Sequence, residues 1–321
     1  MHLLVTGGAG YIGSHAMRLF LERGHEAWAL DNLSRGHPWA VPAGRLIRGD
    51  IADRQLVERV LRERHIEAVV HFAALALVGE SVLEPERYYQ NNLVGTLALL
   101  EAMRSTGINQ IVFSSTCAVY GDPTSTPIAE VAPTLPVNPY GRAKLAVEWA
   151  LADYASAHGL AFAALRYFNA AGAHHSGTLG EEHDPEMHLI PLLLQSALGK
   201  RGPISVYGSD YATPDGTCIR DYIHVEDLAE AHLLALSKLQ PGKGLTVNLG
   251  TGSGHSVREV IAACAAVTGR AILVREAARR AGDPPVLVAD ASRARSELGW
   301  SPRYGDLREI IETAWRWHSN R

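Results

Sequence analysis

The sequence predicts an α/β fold: a doubly wound parallel sheet with helices on both faces, followed by a smaller, interleaved α/β lobe. Three observations carry this prediction. Short runs rich in Val, Leu, Ile and Ala recur between stretches of helical length through the first half of the chain. A glycine-rich turn joins the first such run to the first helix, and after residue 169 the alternation gives way to a polar loop and more scattered elements.

In order, "HLLVTGG" reads as a buried strand, "AMRLFLERGH" as a helix and "EAWALD" as a strand ending at Asp31. A strand over 45–50 ends at Asp50, and a helix over 53–64 follows. Then come a strand over 68–74, a helix over 91–106, a strand over 110–115, a helix over 141–157 and a strand over 161–169. Unbroken apolar strands are those covered on both faces, as in a parallel sheet. Ligands of such sheets lie beyond the carboxyl ends of the strands, which gathers Gly7, Asp31, Asp50, Ala73 and Ser114 at one edge.

After Asn169, "AAGAHHSGTLGEEHDPEMH" is loop-like and "LIPLLLQSALG" a short helix. "CIRDYIHVEDLAEAHLLAL" gives a strand and a helix, "LTVNLG" a strand, and "SVREVIAACAAVTG" a helix opened by a Ser256/Glu259 capping box. Residues 1–168 are expected to form the large lobe and 169–321 the second, with part of 219–250 returning to the first. Trp300, Ile310, Ile311, Trp315 and Trp317 form apolar stripes, and the C-terminal helix is expected to pack on the small lobe.

A chain of 321 residues, 47% of them hydrophobic, buries a large core. Its 30 Lys and Arg against 34 Asp and Glu leave a net charge of −4, with no broad basic surface for nucleic acid. No apolar run reaches the roughly 18 residues of a membrane span, and Met1 leads directly into a strand, so a cytoplasmic protein without membrane contact is expected. Cys117, Cys218 and Cys264 are too scattered for a disulfide framework. His174, His175, His183 and His188 lack the His-x-x-x-His spacing of a helical zinc site and read as polar loop residues, so no metal is expected.

"TGGAGYIG" places Gly8, Gly10 and Gly13 in a Gly-x-Gly-x-x-Gly pattern between strand and helix, with Gly7 at the turn. Small residues there let the backbone approach a pyrophosphate, which the amides at the helix N-terminus then hold. Asp31 stands where a carboxylate accepts both hydroxyls of an adenosine ribose and repels a 2'-phosphate, which favours NAD over NADP despite Arg35 nearby. Asp50 is positioned for the adenine amino group, with Ile51 against the ring. Gly-Lys-Ser/Thr is absent, which argues against a nucleotide triphosphatase.

An enzyme passing hydride between NAD and an alcohol carbon needs a base for the hydroxyl proton. Tyr140 and Lys144 share a helix face, and a phenol of ordinary pKa about 10 serves near neutrality only if a cation stabilises its phenolate. "SSTCAVYGD" offers the Thr116 hydroxyl, with Ser114 and Ser115 before it.

Gly-x-x-Gly-x-x-Gly at 7–13, Tyr-x-x-x-Lys at 140–144 and the hydroxyl at 116 resemble the extended short-chain dehydrogenase/reductase family, with its Rossmann-type fold, over essentially the entire chain. Within it, "DNLSRG" at 31–36, "HFAALALVGES" at 71–81, "YYQNNLVGT" at 88–96, "LRYFNAAGA" at 165–173, "DGTCIRDYIHVEDLA" at 215–229 and "RRAGDPP" at 279–285 are similar to the UDP-glucose/UDP-galactose 4-epimerases. The resemblance implies reversible inversion at the hexose C4 through a 4-keto sugar, with transient reduction of bound NAD. It assigns the base to Tyr140, the bridging hydroxyl to Thr116, and the cofactor contact that favours the phenolate to Lys144. Tyr11, Ile12, Asn32, Phe72, Ala73, Ala74, Asn91, Ser114 and Tyr167 are implied on the NAD side. Ser115, Asn169, His188, Leu189, Arg220, Arg280 and Asp283 are implied on the UDP-hexose side, the two arginines clamping the diphosphate.

Two departures stand out: Ala76 where some members have a cofactor-contacting lysine, and His188 where others have asparagine. A related 4,6-dehydratase would need acids directly after the threonine, and this chain has Cys117 and Ala118. A non-catalytic NAD-binding sensor would need no base. Leu287, near the sugar pocket, leaves N-acetylated UDP-hexoses and UDP-glucuronate open as further substrates. The family also implies a homodimer through two helices per subunit, for which Leu93, Leu97 and Leu100 and Val147, Leu151 and Tyr154 are the candidate faces.

Overall fold

Seven parallel strands make the central sheet of the computed structural model, which describes residues 1–280 and 282–321. In chain order the strands are β1 (His2–Thr6), β2 (Glu26–Asp31), β3 (Leu46–Arg48), β4 (Ala68–His71), β5 (Gln110–Thr116), β6 (Ala161–Tyr167), β7 (Asn169–Ala171), β8 (Ile204–Tyr207), β9 (Ile219–His224), β10 (Gly244–Leu249), β11 (Gly254–Ser256), β12 (Val274–Ala277) and β13 (Val286–Leu287). The helices are α1 (Tyr11–Glu22), α2 (Arg54–Glu63), α3 (Val78–Leu83), α4 (Pro85–Tyr88), α5 (Gly95–Thr106), α6 (Pro139–His158), α7 (Leu189–Ala197), α8 (Val225–Lys238), α9 (Val257–Thr268) and α10 (Leu307–Ser319).

The large sheet runs β10-β6-β5-β4-β1-β2-β3. The order reverses between β1 and β4, and a crevice opens at that switch point beyond the carboxyl ends. Successive side chains on a strand point to opposite faces. Leu3 and Val5 join Phe20 and Leu228 in a core beneath α1 and α8, while Leu4 joins Val57, Leu99 and Val147 beneath α2, α5 and α6. Each such fully buried aliphatic side chain contributes about 1.5–3 kcal/mol.

The Rossmann-type α/β fold is as the sequence predicts, with informative differences at element ends. β3 stops at Arg48 and β4 at His71, short of the expected Asp50 and Ala74, because the chain leaves the sheet there to line the crevice. The expected helix over 91–106 begins earlier, at Pro85, and passes through π-type turns over Tyr89–Val94. That distortion lets Asn92 exchange hydrogen bonds with the Leu75 backbone at 2.8 and 2.9 Å and turns Asn91 to the crevice.

The smaller lobe carries β11-β9-β13 with β7 beside β9, the β12-β8 pair, and α7, α9 and α10 around a separate core. α8 and β10 pack in the large lobe. Asp221 ties these parts together: its buried carboxylate accepts from Thr251 N, Thr251 Oγ1, Gly252 N and Ala289 N at 2.7–3.1 Å. The Ser256/Glu259 capping box opens α9 in both directions. α10 packs in the small lobe through Ile310 and Ile311, but Trp300 inserts into the large lobe and donates to Asp227 O at 2.9 Å. The three cysteines are buried and unpaired, and among the described residues no helix is long and apolar enough to cross a membrane.

The candidate dimer faces turn inward. Leu100, Val147 and Leu151 are buried, and Leu93, Leu97 and Tyr154 pack against them in this chain's own core. The apolar residues these helices do expose are Trp149, at 62%, and Val94, at 44%.

Candidate active site

One continuous cleft of about 1140 Å³ runs from the turn after β1, past the N-terminal end of α6, to β9 and the segment before β13. Its size exceeds the few hundred Å³ that a single small ligand occupies.

At the first end, Gly7 leaves β1 at φ +70°, and a Cβ there would lie 2.6 Å from Ala73 N. A Cβ on Gly13 would lie 2.1 Å from Gly7 O, so this turn tolerates only hydrogen at both places. Gly10 enters α1 in an extended conformation with no side-chain cap, which leaves the first helical amides open for a phosphate. Asp31 is buried at the end of β2, where Oδ2 accepts from Ala9 N at 2.9 Å and Oδ1 from Leu33 N at 2.8 Å. Burial raises its carboxyl above the usual range against the pull of those amides. Tyr11, Ile12, Asn32, Ile51, Phe72, Ala73 and Ala74 continue the wall. Arg35, the one feature that argued for a 2'-phosphate, is committed to Glu80 at 2.9 Å and to Asp184 O at 2.7 Å. The cradle therefore fits a dinucleotide with a free adenosine ribose.

Midway, Asn138 caps α6 by accepting from Gly141 N at 2.9 Å, and Pro139 starts the helix. This sets Tyr140 in the first turn with Lys144 one turn on, and both line the cleft. Burial pushes the Tyr140 phenol up to about 12, opposed by a hydrogen bond from Thr116. Burial also lowers the Lys144 ammonium to about 7, with Glu148 acting the other way. Lys144 Nζ donates to Ser114 O at 2.7 Å, and Ser114 and Tyr167 share a hydroxyl bond. Burial, and not Lys144, sets the position of the Tyr140 phenol.

At the far end, Asn169, His188, Leu189, Arg220, Arg280 and Asp283 line the wall, together with Leu287 and Ala76. Arg220 pairs with Asp283 and donates to Ile219 O at 2.8 Å. Arg280 lies 3.9 Å above the Tyr207 ring. The cleft thus offers a phosphate cradle, a buried proton-transfer group and a second cationic end.

Residues 3–250 match the NAD dependent epimerase/dehydratase family. The chain belongs to this family. A UDP-glucose 4-epimerase of Streptomyces lividans is 54% identical over 319 residues, which cover 99% of this chain and 96% of that one. The crystal structure of UDP-glucose 4-epimerase from Brucella ovis in complex with NAD superposes with a TM-score of 0.94 at 51% identity, covering 98% of this chain and 97% of that one. The UDP-glucose 4-epimerase from Bifidobacterium longum in complex with NAD+ and UDP gives 0.96 at 39% identity, covering 100% and 99%. The resemblance drawn from the motifs is borne out, and NAD is the cofactor of this epimerase/dehydratase family.

One predicted site residue turns away from the cleft of this family member. Ser115 points to the opposite side of β5 from Ser114 and Thr116, where it is fully buried and donates to Glu148 Oε1. Glu148 in turn is bidentate with Arg166, so Ser115 supports the α6 packing instead of touching a sugar. Asp50 lies past β3 between the lining residues Gly49 and Ile51, and accepts from Ala52 N in its own loop and from Asn32 Nδ2 on the cleft wall, both at 2.8 Å.

The loop histidines also depart from expectation. His188 Nδ1 lies 2.6 Å from Glu181 Oε1, inside a cluster with His183 and Glu186 that lines the same cleft. His174 and His175 gather at Glu226. Neither group has the helical His-x-x-x-His spacing. The Glu-x-His-x-x-Glu-x-His order at 181–188 was the available signal.

Proposed function

We propose that this chain interconverts UDP-glucose and UDP-galactose by inverting C4 of the hexose. The observation that carries the reading is a single cleft in which a dinucleotide cradle, Tyr140 with Lys144 and Thr116, and the Arg220/Arg280/Asp283 end follow one another. NAD bound in the cradle supplies a hydride acceptor and donor, so the reaction has no net redox change.

The proton chemistry belongs to the chain. Tyr140 takes the proton of the 4-hydroxyl on its phenolate oxygen, and Thr116 bridges that oxygen and the sugar. Lys144 carries the positive charge that steadies the phenolate. Inversion requires the 4-keto hexose to turn its other face to the cofactor while its nucleotide stays held, after which Tyr140 returns the proton to the 4-oxygen. Arg220 and Arg280 hold the diphosphate, and Asp283 exchanges its bond to Arg220 for a uridine ribose hydroxyl. Asn169 and Leu189 border the space in which the sugar turns. Cys117 and Ala118 provide neither of the acids that a dehydratase needs.

Leu287 favours a second substrate class beside the first. It lines the cleft on β13 and is smaller than an aromatic side chain, which leaves room for an N-acetyl group. Such pocket differences change discrimination by about 10- to 200-fold. The protein acts as a homodimer in the cytoplasm on this reading. Trp149 and Val94 supply exposed apolar surface for the dimer, and three unpaired buried thiols suit a reducing compartment.

The test is incubation of purified protein with UDP-galactose, UDP-N-acetylglucosamine and UDP-glucuronate in separate reactions without added NAD, with chromatographic separation of the products. UDP-glucose formed from UDP-galactose is the expected result, and its absence from NAD-replete protein overturns the proposal. Tyr140→Phe, with NAD and nucleotide binding retained, should lower turnover by about 10²–10⁴-fold.

A further inference from the structure

The loop leading into α7 gathers four side chains that the proton-transfer scheme leaves unused. Glu181, His183, Glu186 and His188 each offer one donor atom, and these atoms lie within 4.8 Å of one another. His183 Nδ1 stands 3.2 Å from Glu181 Oε1 and 3.6 Å from Glu186 Oε2. His188 Nδ1 stands 2.6 Å from Glu181 Oε1 and 3.5 Å from Glu186 Oε1.

Closeness here is not hydrogen bonding. Glu181 Oε1, Glu186 Oε2 and both Nδ1 atoms are buried without a hydrogen-bond partner, and the two carboxylates keep only 4% and 3% of their side-chain surface. Two anions buried to that degree cost several kcal/mol unless a positive charge compensates them. Simple imidazolium–carboxylate pairs would direct each N–H along a bond axis, which these contacts lack. The His174, His175 and Glu226 group shows the contrast: His175 Nδ1 bonds Glu226 Oε1 at 2.8 Å and His174 Nδ1 bonds Ser176 Oγ at 2.7 Å. That group is satisfied by its own hydrogen bonds.

The four donors are also held in place from outside. Glu186 Oε1 accepts from Met187 N at 2.8 Å and His188 N at 2.9 Å, which turns its other oxygen inward. Trp317 Nε1 donates to Glu181 O at 3.0 Å, Arg35 Nη1 donates to Asp184 O at 2.7 Å, and His37 Nε2 lies 2.9 Å from Glu182 O. Anchors from α10 and from the large lobe therefore fix the loop independently of the cluster.

We propose that Glu181, His183, Glu186 and His188 bind one divalent transition-metal ion, zinc by its donor set, as a structural centre that fastens this loop to the start of α7. Two imidazoles exclude a calcium or magnesium site, whose ligands are oxygen. Tetrahedral zinc bonds of about 2.0–2.1 Å set donor atoms about 3.3 Å apart, within the range seen here. Four protein ligands close the coordination shell, as in structural zinc, and two carboxylates neutralise the ion. The Tyr11 ring meets His183 edge-on at 6.3 Å, so the centre borders the cleft beside the cofactor cradle. The hydride relay does not require it.

Untagged full-length protein, expressed with zinc and gel-filtered in chelator-free buffer, should carry about one zinc per chain by mass spectrometry of metals. His183→Ala and Glu186→Gln should each bring this below about a tenth, while His158→Ala, an exposed helix position, should retain it. Wild-type protein with less than about a tenth of an equivalent, or both variants with full zinc, overturns the proposal. Because variants can misfold, chelator-stripped wild type is also titrated with Co²⁺. Visible absorption that saturates at about one equivalent and is displaced by Zn²⁺ supports the site, and a titration without saturation sinks it.

Discussion

Replacing Lys144 by methionine keeps the length of the side chain and removes its charge, and should displace the pH–rate profile of the enzyme. Burial places the Tyr140 phenol at about 12 and the Lys144 ammonium at about 7. Moving the proton from one to the other spans about five pH units, or about 7 kcal/mol at about 1.36 kcal/mol per unit. A phenol at about 12 is ionised in only about one molecule in ten thousand at pH 8. The working state is therefore one in which phenolate and ammonium stabilise each other, so their titrations are coupled. A base tuned near the operating pH gains up to about 10⁴ in ionised fraction over the buried phenol. Rate follows the deprotonated phenol, so a higher pKa slows the reaction at every pH below it, and the deficit shrinks as pH rises. Lys144→Met should lose up to about 10⁴-fold in kcat near pH 8 and recover about tenfold per pH unit toward pH 11. The assay is initial conversion of UDP-galactose to UDP-glucose, with NAD content matched by its release on denaturation. A variant whose rate deficit is constant across pH, or whose limb stays within about half a unit of wild type, refutes the role given to Lys144.

Gly13→Ala should leave the folded protein with less than about a tenth of its NAD, because a Cβ there meets Gly7 O at 2.1 Å; full retention would contradict the cradle. Arg280→Ala should raise KM for UDP-galactose by about 10- to 150-fold with a smaller change in kcat, the value of one charge-assisted bond of about 1.5–3 kcal/mol. An unchanged KM would remove Arg280 from the diphosphate clamp. His232 is held at about 4 by burial, against an ordinary 6.5. Between those values the unfolded chain binds a proton that the folded chain refuses, so stability falls as pH drops from 6.5 toward 4, by up to about 3 kcal/mol from this residue. His232→Leu should flatten the pH dependence of urea unfolding over that window by this amount, and an unaltered dependence would show that His232 is not the group responsible.

What the sequence made legible was set by short-range geometry. The glycine turn needs only a strand, a tight corner and a helix in succession, and Tyr140 and Lys144 need only one helical turn, so spacing sufficed for both. Ser115 failed for a different reason. Strand alternation says that Ser114 and Ser115 face opposite ways, but which faces the cleft depends on where α6 packs, and Glu148 claims Ser115. The leucine and valine stripes over 91–106 and 141–157 left core and dimer face open, because the two have the same period; the packed sheet shows that Leu100, Val147 and Leu151 face inward and Trp149 outward.

The cluster at 181–188 lies beyond both kinds of reasoning. No helix or strand period relates Glu181, His183, Glu186 and His188, because the loop containing Pro185 brings them together and its path is set by Trp317, Arg35 and His37 from distant segments. Judged singly, each histidine is a polar loop residue. Judged as a group, the two carboxylates buried between histidine nitrogens that make no aligned hydrogen bond to them are the decisive feature. The same contrast separates the cluster from Glu226, which lies near two histidines but is satisfied by hydrogen bonds and by Tyr304 at 2.9 Å. Burial without a hydrogen-bond partner, rather than histidine spacing, distinguishes the loop that calls for a metal ion from the one that does not.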